Sequence, residues 1–506
     1  MLKRYIKLIR ESRVYDVATV TPLVEAARLS RRFDNVIWMK REDLQPVHSF
    51  KLRGAYNRIA ALPPAELKRG VIAASAGNHA QGVALAARKL GVKALIVMPQ
   101  TTPSIKVEAV RDYGATIKLV GDTYDDAYAW AAARSAEKGI PLIHPYDDPL
   151  TIAGQGTIGL EILEQHPADI HAIFIPVGGG GLLAGIAAAV KATCPAVKII
   201  GVEPDEAPCM TEALKRGRRI TLKQVGIFAD GVAVRQAGKE TYRIAREHVD
   251  EMLTVTTDEI CAAMKDIFDD CRSVVEPAGA LAIAGIKKYV EQTGVQGKSL
   301  VAINSGSNIN FDRLRHVSER AEIGEQREAL LAVTIPEQPG SFRKFCQAIG
   351  RRGITEFNYR YASEDKAHVF AGIRLQGGES ERAELVEQLR SDGYPVEDMT
   401  DSELAKLHIR HMVGGRVPGL QDELLSRFQF PERPGALLAF LSSMGKRWNI
   451  SLFHYRNHGA DYGRVLVGIQ VPRKSRKAFR ASLDKLGYVY QEETDCPAYQ
   501  LFLGNS

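Results

Sequence analysis

A lysine amine catalyses only where it can lose its proton near neutral pH and meet a carbonyl. An unperturbed one titrates near ~10.4 and stays charged. His48-Ser49-Phe50-Lys51-Leu52-Arg53-Gly54-Ala55 sets Lys51 directly after an aromatic ring and ahead of a small-residue, helix-like segment. Lys40, Lys68 and Lys93 have no comparable setting. On this octapeptide alone a solvated lysine remains an open reading. Three other stretches narrow it.

Gly178-Gly179-Gly180-Gly181-Leu182 lies between two strongly apolar runs. Consecutive glycines let backbone N–H groups curl towards one anion, and a helix beginning there adds partial positive charge. A flexible linker would have polar flanks. The loop therefore reads as a phosphate cradle. Ser75-Ala76-Gly77-Asn78-His79-Ala80-Gln81-Gly82 is a polar turn leading into a helix. Its backbone amides suit a carboxylate, and the Asn78 amide suits a ring hydroxyl oxygen. The same residues also make an ordinary helix cap. Ser305-Gly306-Ser307-Asn308 closes an apolar run. It is either a simple turn or the place where a neutral hydroxyl meets a ring nitrogen. A lysine, a phosphate cradle and two polar turns are together the parts of a pyridoxal phosphate site.

These groups need a scaffold. The chain has 506 residues, 45% hydrophobic and 25% charged, which implies a soluble globular protein of two to four domains. Val71–Ala74, Ala94–Met98, Ile173–Ile175, Ile199–Val202 and Leu300–Ile303 read as buried strands. Alanine-rich helical stretches such as 79–90 and 124–138 lie between them. Alternation of this kind means parallel sheets covered on both faces, with ligands at the carboxyl ends of strands. The turns at Ser75, Gly178 and Ser305 each follow a strand. Residues 172–190 carry no charge. Pro176 and the glycines break that run into strand, turn and buried helix, so no membrane span is expected.

The net charge of +7 is interspersed with acids. The basic runs 215–219 and 473–477 lack the extended stripe that nucleic acid requires. Six cysteines lie far apart with no Cys-x-x-Cys, indicating neither zinc nor a redox pair, and a reducing compartment. Residues 313–328 are charged and helix-favouring, as a connector would be. Beyond them Pro336-Glu337-Gln338-Pro339-Gly340 recurs, 95 residues on, as Pro431-Glu432-Arg433-Pro434-Gly435. Phe357-Asn358-Tyr359-Arg360 recurs, 96 residues on, as Phe453-His454-Tyr455-Arg456. That period suits two copies of a small α+β domain.

The four motifs, in this order, resemble the fold-type II pyridoxal phosphate enzymes. More narrowly, with Asn449–Arg456 in the tail, they resemble the biosynthetic threonine dehydratases. The resemblance implies an α/β fold with two parallel-sheet subdomains followed by two ACT-like α+β domains. The expected bounds are 1–325, with a small subdomain at roughly 45–145 inserted, then 326–405 and 424–502. It implies that Lys51 forms the Schiff base, Phe50 packs beside the cofactor, Asn78 contacts the ring oxygen, Gly178 to Leu182 hold the phosphate, and Ser305 faces the pyridine nitrogen. Ser75, Ala76, Gly77, Asn78 and His79 would bind substrate. Phe357, Tyr359, Arg360, Phe453, Tyr455 and Arg456 would serve regulation. The implied reaction converts L-threonine to 2-oxobutanoate and ammonia, the committed step towards isoleucine, with isoleucine inhibiting and valine opposing. A cytoplasmic homotetramer is implied, and no metal is assigned at the acidic loop Glu203–Cys209. A serine racemase or catabolic dehydratase stays open as an alternative, although such enzymes usually lack a doubled tail.

Overall fold

The computed structural model describes all residues except 167–168, 432–435, 445–446, 457–461 and 504–506. It comprises two units, Met1–Ala321 and Glu322–Ser506.

The first unit holds two sheets. The smaller is parallel, with the strands Val71–Ala74, Ala94–Met98 and Thr116–Leu119 in chain order. The larger runs Leu23–Glu25, Val36–Arg41, Ser299–Asn304, Ala172–Pro176, Lys198–Pro204, Glu251–Val255. Its first pair is antiparallel and the rest are parallel. All five expected strands form. The edge strand at 23–25 and its neighbour at 36–41 were not foreseen, because Trp38, Lys40 and Arg41 interrupt any apolar run. The stretch 172–190 divides as expected into a strand and the helix Gly181–Thr193, both buried. Among the described residues, no helix is long and apolar enough to cross a membrane. The helix Tyr124–Lys138 begins at a capping box, with Thr123 and Asp126 bonding each other's backbone N–H.

The helix Lys51–Ala60 is clasped between two others, and glycines set the distances. A Cβ on Gly82, in the helix Asn78–Lys89, would lie 3.0 Å from the Leu52 nitrogen. A Cβ on Gly154, in the helix Pro149–Gln165, would lie 2.7 Å from Gly54 Cα. Arg53 anchors the same helix from within. It is fully buried and bonds Glu42 at 2.8 Å and Glu161 at 2.5 Å.

The second unit is built on one eight-stranded antiparallel sheet. Each repeat contributes strand, helix and strand: Glu328–Pro336, Ser341–Ile349 and Ile354–Arg360, then Glu423–Pro431, Ala436–Met444 and Asn449–Arg456. The two repeats do not form separate sheets. Ile354–Arg360 pairs with Asn449–Arg456, Phe357 opposite Tyr455 and Tyr359 opposite Phe453. Residues 432–435 of the second Pro-Gly turn lie outside the described residues. The expected connector is shorter than 313–328: the helix is Arg313–Gly324, and Glu328 already starts a strand.

Candidate active site

The strand Ser299–Asn304 delivers Ser305 to the carboxyl edge of the larger sheet, and the segment before Lys51 is fastened there. The Phe50 N–H donates to the Ser305 carbonyl at 3.3 Å, and the Ser307 N–H donates to the His48 carbonyl at 3.0 Å. His48 has φ +53, a left-handed turn uncommon for a residue with a side chain. It swings the chain into the helix that Lys51 begins. Phe50 is 8% exposed and packs in one cluster with Val177 and Leu182, which flank the glycine loop. The Lys51 amine stands 5.1 Å from the Phe50 ring centroid.

Lys51 is half-buried, and burial pulls its amine from 10.5 down to about 8, with the Glu276 carboxylate opposing. At pH 7 that leaves about a tenth of the amine neutral, against less than ~0.1% unperturbed. Among the described residues, the amine forms no ion pair. Burial likewise holds His79 down to about 3, so its imidazole is neutral.

The glycine loop has the shape an anion requires. Gly180 has φ +94, and the helix starts at Gly181 with its first amides lacking intrahelical partners. A Cβ on Gly179 would fall 2.4 Å from ring carbons of Tyr146, and one on Gly181 2.9 Å from Tyr146 Cβ. Behind the loop, Thr241 Oγ1 and the Gly238 N–H donate to the Gly179 carbonyl at 2.6 and 3.1 Å. The carbonyl is thus turned away and fixed. Leu182 has its side chain in the core, so only its backbone is available to a phosphoryl group. A glycine loop too crowded for side chains at Gly179 and Gly181, and a lysine lowered towards neutrality next to Phe50, whose cluster includes the residues flanking that loop, fit pyridoxal phosphate.

The polar turns meet. Asn308 Nδ2 donates to Asn78 Oδ1 at 2.8 Å, although 230 residues separate them. The Ser305 hydroxyl is buried and donates to the Ala278 carbonyl at 3.3 Å, so it must rotate to serve a ring nitrogen. Ser75 Oγ accepts the Gly77 N–H at 3.2 Å. Ser75, Ala76 and Gly77 form the turn itself, and a Cβ on Gly77 would meet nothing. The His79 imidazole leaves the group: its Nε2 bonds the Ile143 carbonyl at 2.8 Å within the smaller subdomain. Only its backbone stays at the turn.

Sequence reasoning missed Tyr146, His144 and Glu276. His144 Nδ1 accepts the Asp147 N–H at 2.9 Å, and its ring meets Tyr146 edge-on at 4.7 Å. Glu276 Oε1 accepts from Asn78 Nδ2 at 2.7 Å. No local pattern marks either role. Around the acidic loop, Glu203 accepts the Met210 and Thr211 N–H groups, each at 2.8 Å. Cys209 is a free, buried thiol whose Sγ donates to the Gly178 carbonyl at 3.4 Å.

In the second unit the six residues expected to serve regulation lie on two paired strands. Phe357 and Phe453 are each 1% exposed and meet edge-on at 5.4 Å in the core. Tyr359 donates to Glu337 from a buried position, and Tyr455 is buried beside Phe357's strand. Arg360 clamps Glu423 at 2.5 Å and the Leu503 carbonyl at 2.9 Å. Arg456 lies opposite Glu356 in the strand pairing, and its side chain is outside the described residues. Phe357, Tyr359, Phe453 and Tyr455 lie in the core and form the seam between the repeats. A shallow open groove lies at the first Pro-Gly turn, lined by Gln338, Gly340, Phe342, Arg343, Trp448 and Asn449 among others.

Comparison with known proteins agrees with this layout. Residues 14–306 match the model of the pyridoxal-phosphate dependent enzyme family. Residues 319–409 and 414–503 each match the C-terminal regulatory domain of threonine dehydratase. The chain is 55% identical over 502 residues to the biosynthetic L-threonine dehydratase IlvA of Burkholderia multivorans, covering 99% of both. It is 52% identical over 499 residues to that of Escherichia coli K12, covering 99% of this chain and 97% of the relative. The processed form of threonine deaminase isoform 2 from Solanum lycopersicum superposes with a TM-score of 0.62 at 50% identity, over 63% of this chain and 93% of that one. The chain therefore belongs to the pyridoxal-phosphate dependent enzymes and, within them, to the biosynthetic threonine dehydratases with a doubled C-terminal regulatory domain.

Proposed function

We propose that the chain converts L-threonine to 2-oxobutanoate and ammonia, the committed step towards isoleucine, and that isoleucine inhibits it while valine opposes the inhibition. The observation that carries this is Lys51: a half-buried amine drawn down to about 8 next to the Phe50 ring, in a chain 55% identical over 99% of its length to a biosynthetic threonine dehydratase. Bound there, pyridoxal phosphate supplies an electron sink conjugated to the substrate's α-carbon.

The protein's own groups do the rest. Lys51 holds the cofactor's aldehyde and, once displaced by substrate, moves the proton at the α-carbon. The amides of Gly178 to Leu182 hold the phosphoryl group, with the positive end of the helix Gly181–Thr193 behind them. Phe50 packs beside the ring, and Asn78 donates to its hydroxyl oxygen. The backbone of Ser75, Ala76, Gly77, Asn78 and His79 receives the substrate carboxylate. Ser305 offers a neutral hydroxyl to the ring nitrogen, and a nitrogen left unprotonated favours prompt loss of the β-hydroxyl over transamination.

The assigned domains are 1–325 for catalysis, with the smaller subdomain at roughly 45–145, and 326–405 and 424–502 for regulation. The groove beside Arg343 and Asn449 supports binding of an amino acid effector there: a cation for its carboxylate, with Phe342, Trp448 and Ile450 for an aliphatic side chain. Six free thiols suit the cytoplasm, and the family resemblance supports a homotetramer. A 2-oxobutanoate assay with threonine, with and without isoleucine, tests the reading. Purified protein that makes no 2-oxobutanoate refutes it, and turnover indifferent to isoleucine refutes its regulatory half.

A further inference from the structure

A carboxylate that the reaction does not require lies in the middle of this site. Glu276 is 4% exposed, and among the described residues no ion pair is formed by it. Burial and the nearby Asp230 push it up to about 7. Isolating an acid in this way is costly unless its hydrogen bonds matter.

Its bonds run in one direction. Asn308 Nδ2 donates both hydrogens, to the Val47 carbonyl and to Asn78 Oδ1, each at 2.8 Å. Asn78 Nδ2 then donates to Glu276 Oε1 at 2.7 Å. The Glu276 carboxylate also accepts the Asn308 backbone N–H, and the Glu276 N–H donates to the Gly306 carbonyl at 3.2 Å. Two glycines make room for it: a Cβ on Gly306 would lie 2.8 Å from Oε1, and one on Gly231 3.4 Å. An ionised carboxylate only accepts. Turning the Asn78 amide over would set oxygen against Glu276 and nitrogen against the Asn308 amino group. One orientation survives, and it leaves a single Nδ2 hydrogen of Asn78 unspent.

We propose that Glu276 is a positioning residue that fixes the Asn78 amide so that this remaining hydrogen serves the cofactor's ring hydroxyl. The inference rests on the pyridoxal phosphate reading of the site and goes one step beyond it. Glu276 touches neither substrate nor cofactor in this role.

The test is a double-mutant cycle on the full-length holoenzyme, read as the cofactor dissociation constant and the position of its visible absorption band. Asn78→Ala and Glu276→Ala should each weaken binding roughly tenfold, the size expected for a hydrogen bond to a charged group. Because Glu276 acts through Asn78, the double variant should be no weaker than Asn78→Ala alone. Glu276→Gln keeps an acceptor oxygen for Asn78 and should stay within about threefold of the parent, with the band unmoved. An additive loss of about a hundredfold overturns the inference. So does a Glu276→Gln enzyme as weak as Asn78→Ala, and that arm decides the matter if Glu276→Ala does not fold. A parent protein with no visible band would instead refute the cofactor reading itself.

Discussion

Gly179→Ala is the sharpest perturbation the glycine loop offers. The added methyl would sit 2.4 Å from three ring carbons of Tyr146, whereas ordinary contacts begin at 3.4 Å. Loop or ring must therefore retreat by about 1 Å (3.4 − 2.4). The ring is hemmed in: its hydroxyl donates to the Gln236 carbonyl at 3.3 Å, and His144 packs against its face at 4.7 Å. The loop is held from behind by Thr241 at 2.6 Å. Overpacking of this kind costs about 1–3 kcal/mol. A 1 Å displacement of groups that hold a reacting molecule costs about a hundredfold in rate. Thermal unfolding and threonine turnover of Gly179→Ala should show both losses, and cofactor titration a weakened affinity. Tyr146→Ala removes the obstructing ring carbons, so adding Gly179→Ala to it should cost little more. A Gly179→Ala enzyme with parental cofactor affinity would refute the steric argument, as would losses that simply add in the double variant.

Lys51→Ala should abolish turnover and the visible absorption of the purified protein; an active Lys51→Ala enzyme ends the assignment. Cofactor uptake by cofactor-free enzyme needs the neutral amine, whose folded value near 8 lies below the ordinary one, so the uptake rate should rise with pH and level off above about 8. A rate flat from pH 6 to 9 contradicts this. Residues 1–321 alone should keep threonine turnover and lose the isoleucine response, measured by 2-oxobutanoate formation; inhibition at an unchanged isoleucine concentration contradicts it. Arg53→Met strips the guanidinium from buried Glu42 and Glu161 and should lower stability by about 3–5 kcal/mol in denaturant unfolding.

What was legible in the sequence was what is local. Apolar runs ending in glycine or serine gave the strands and the loops after them, and alanine-rich stretches gave the helices at 79–90 and 124–138. Contacts between distant segments were illegible. Tyr146 is an ordinary aromatic until the loop at 178–181 folds against its ring. Glu276 is one acid among sixty Asp and Glu residues until Asn78 arrives from 198 positions away. The repeated Phe-x-Tyr-Arg motif shows a different limit. Repetition marks equivalent positions in two copies, and the aromatics at those positions pair across the shared sheet. The groove at the Pro-Gly turn combines residues near 340 with others near 449, a pairing that only the joined sheet creates.

Electrostatics then separates Lys51, the proposed Schiff-base lysine, from Lys40. Lys40 is more deeply buried than Lys51, at 0% exposure. Burial draws its pKa down as well. Yet its amine sits 2.6 Å from a Glu161 oxygen and 2.6 Å from the Thr21 carbonyl. It is one of two cations, with Arg53, in a network that balances Glu161 and Glu42, and neutralising it would leave two buried carboxylates with one counter-charge. Lys51 receives only the remoter field of Glu276, which slows its descent without stopping it. Burial alone does not make a nucleophile. What makes one is burial with no carboxylate in contact, and among the described residues no acid pairs with the Lys51 amine.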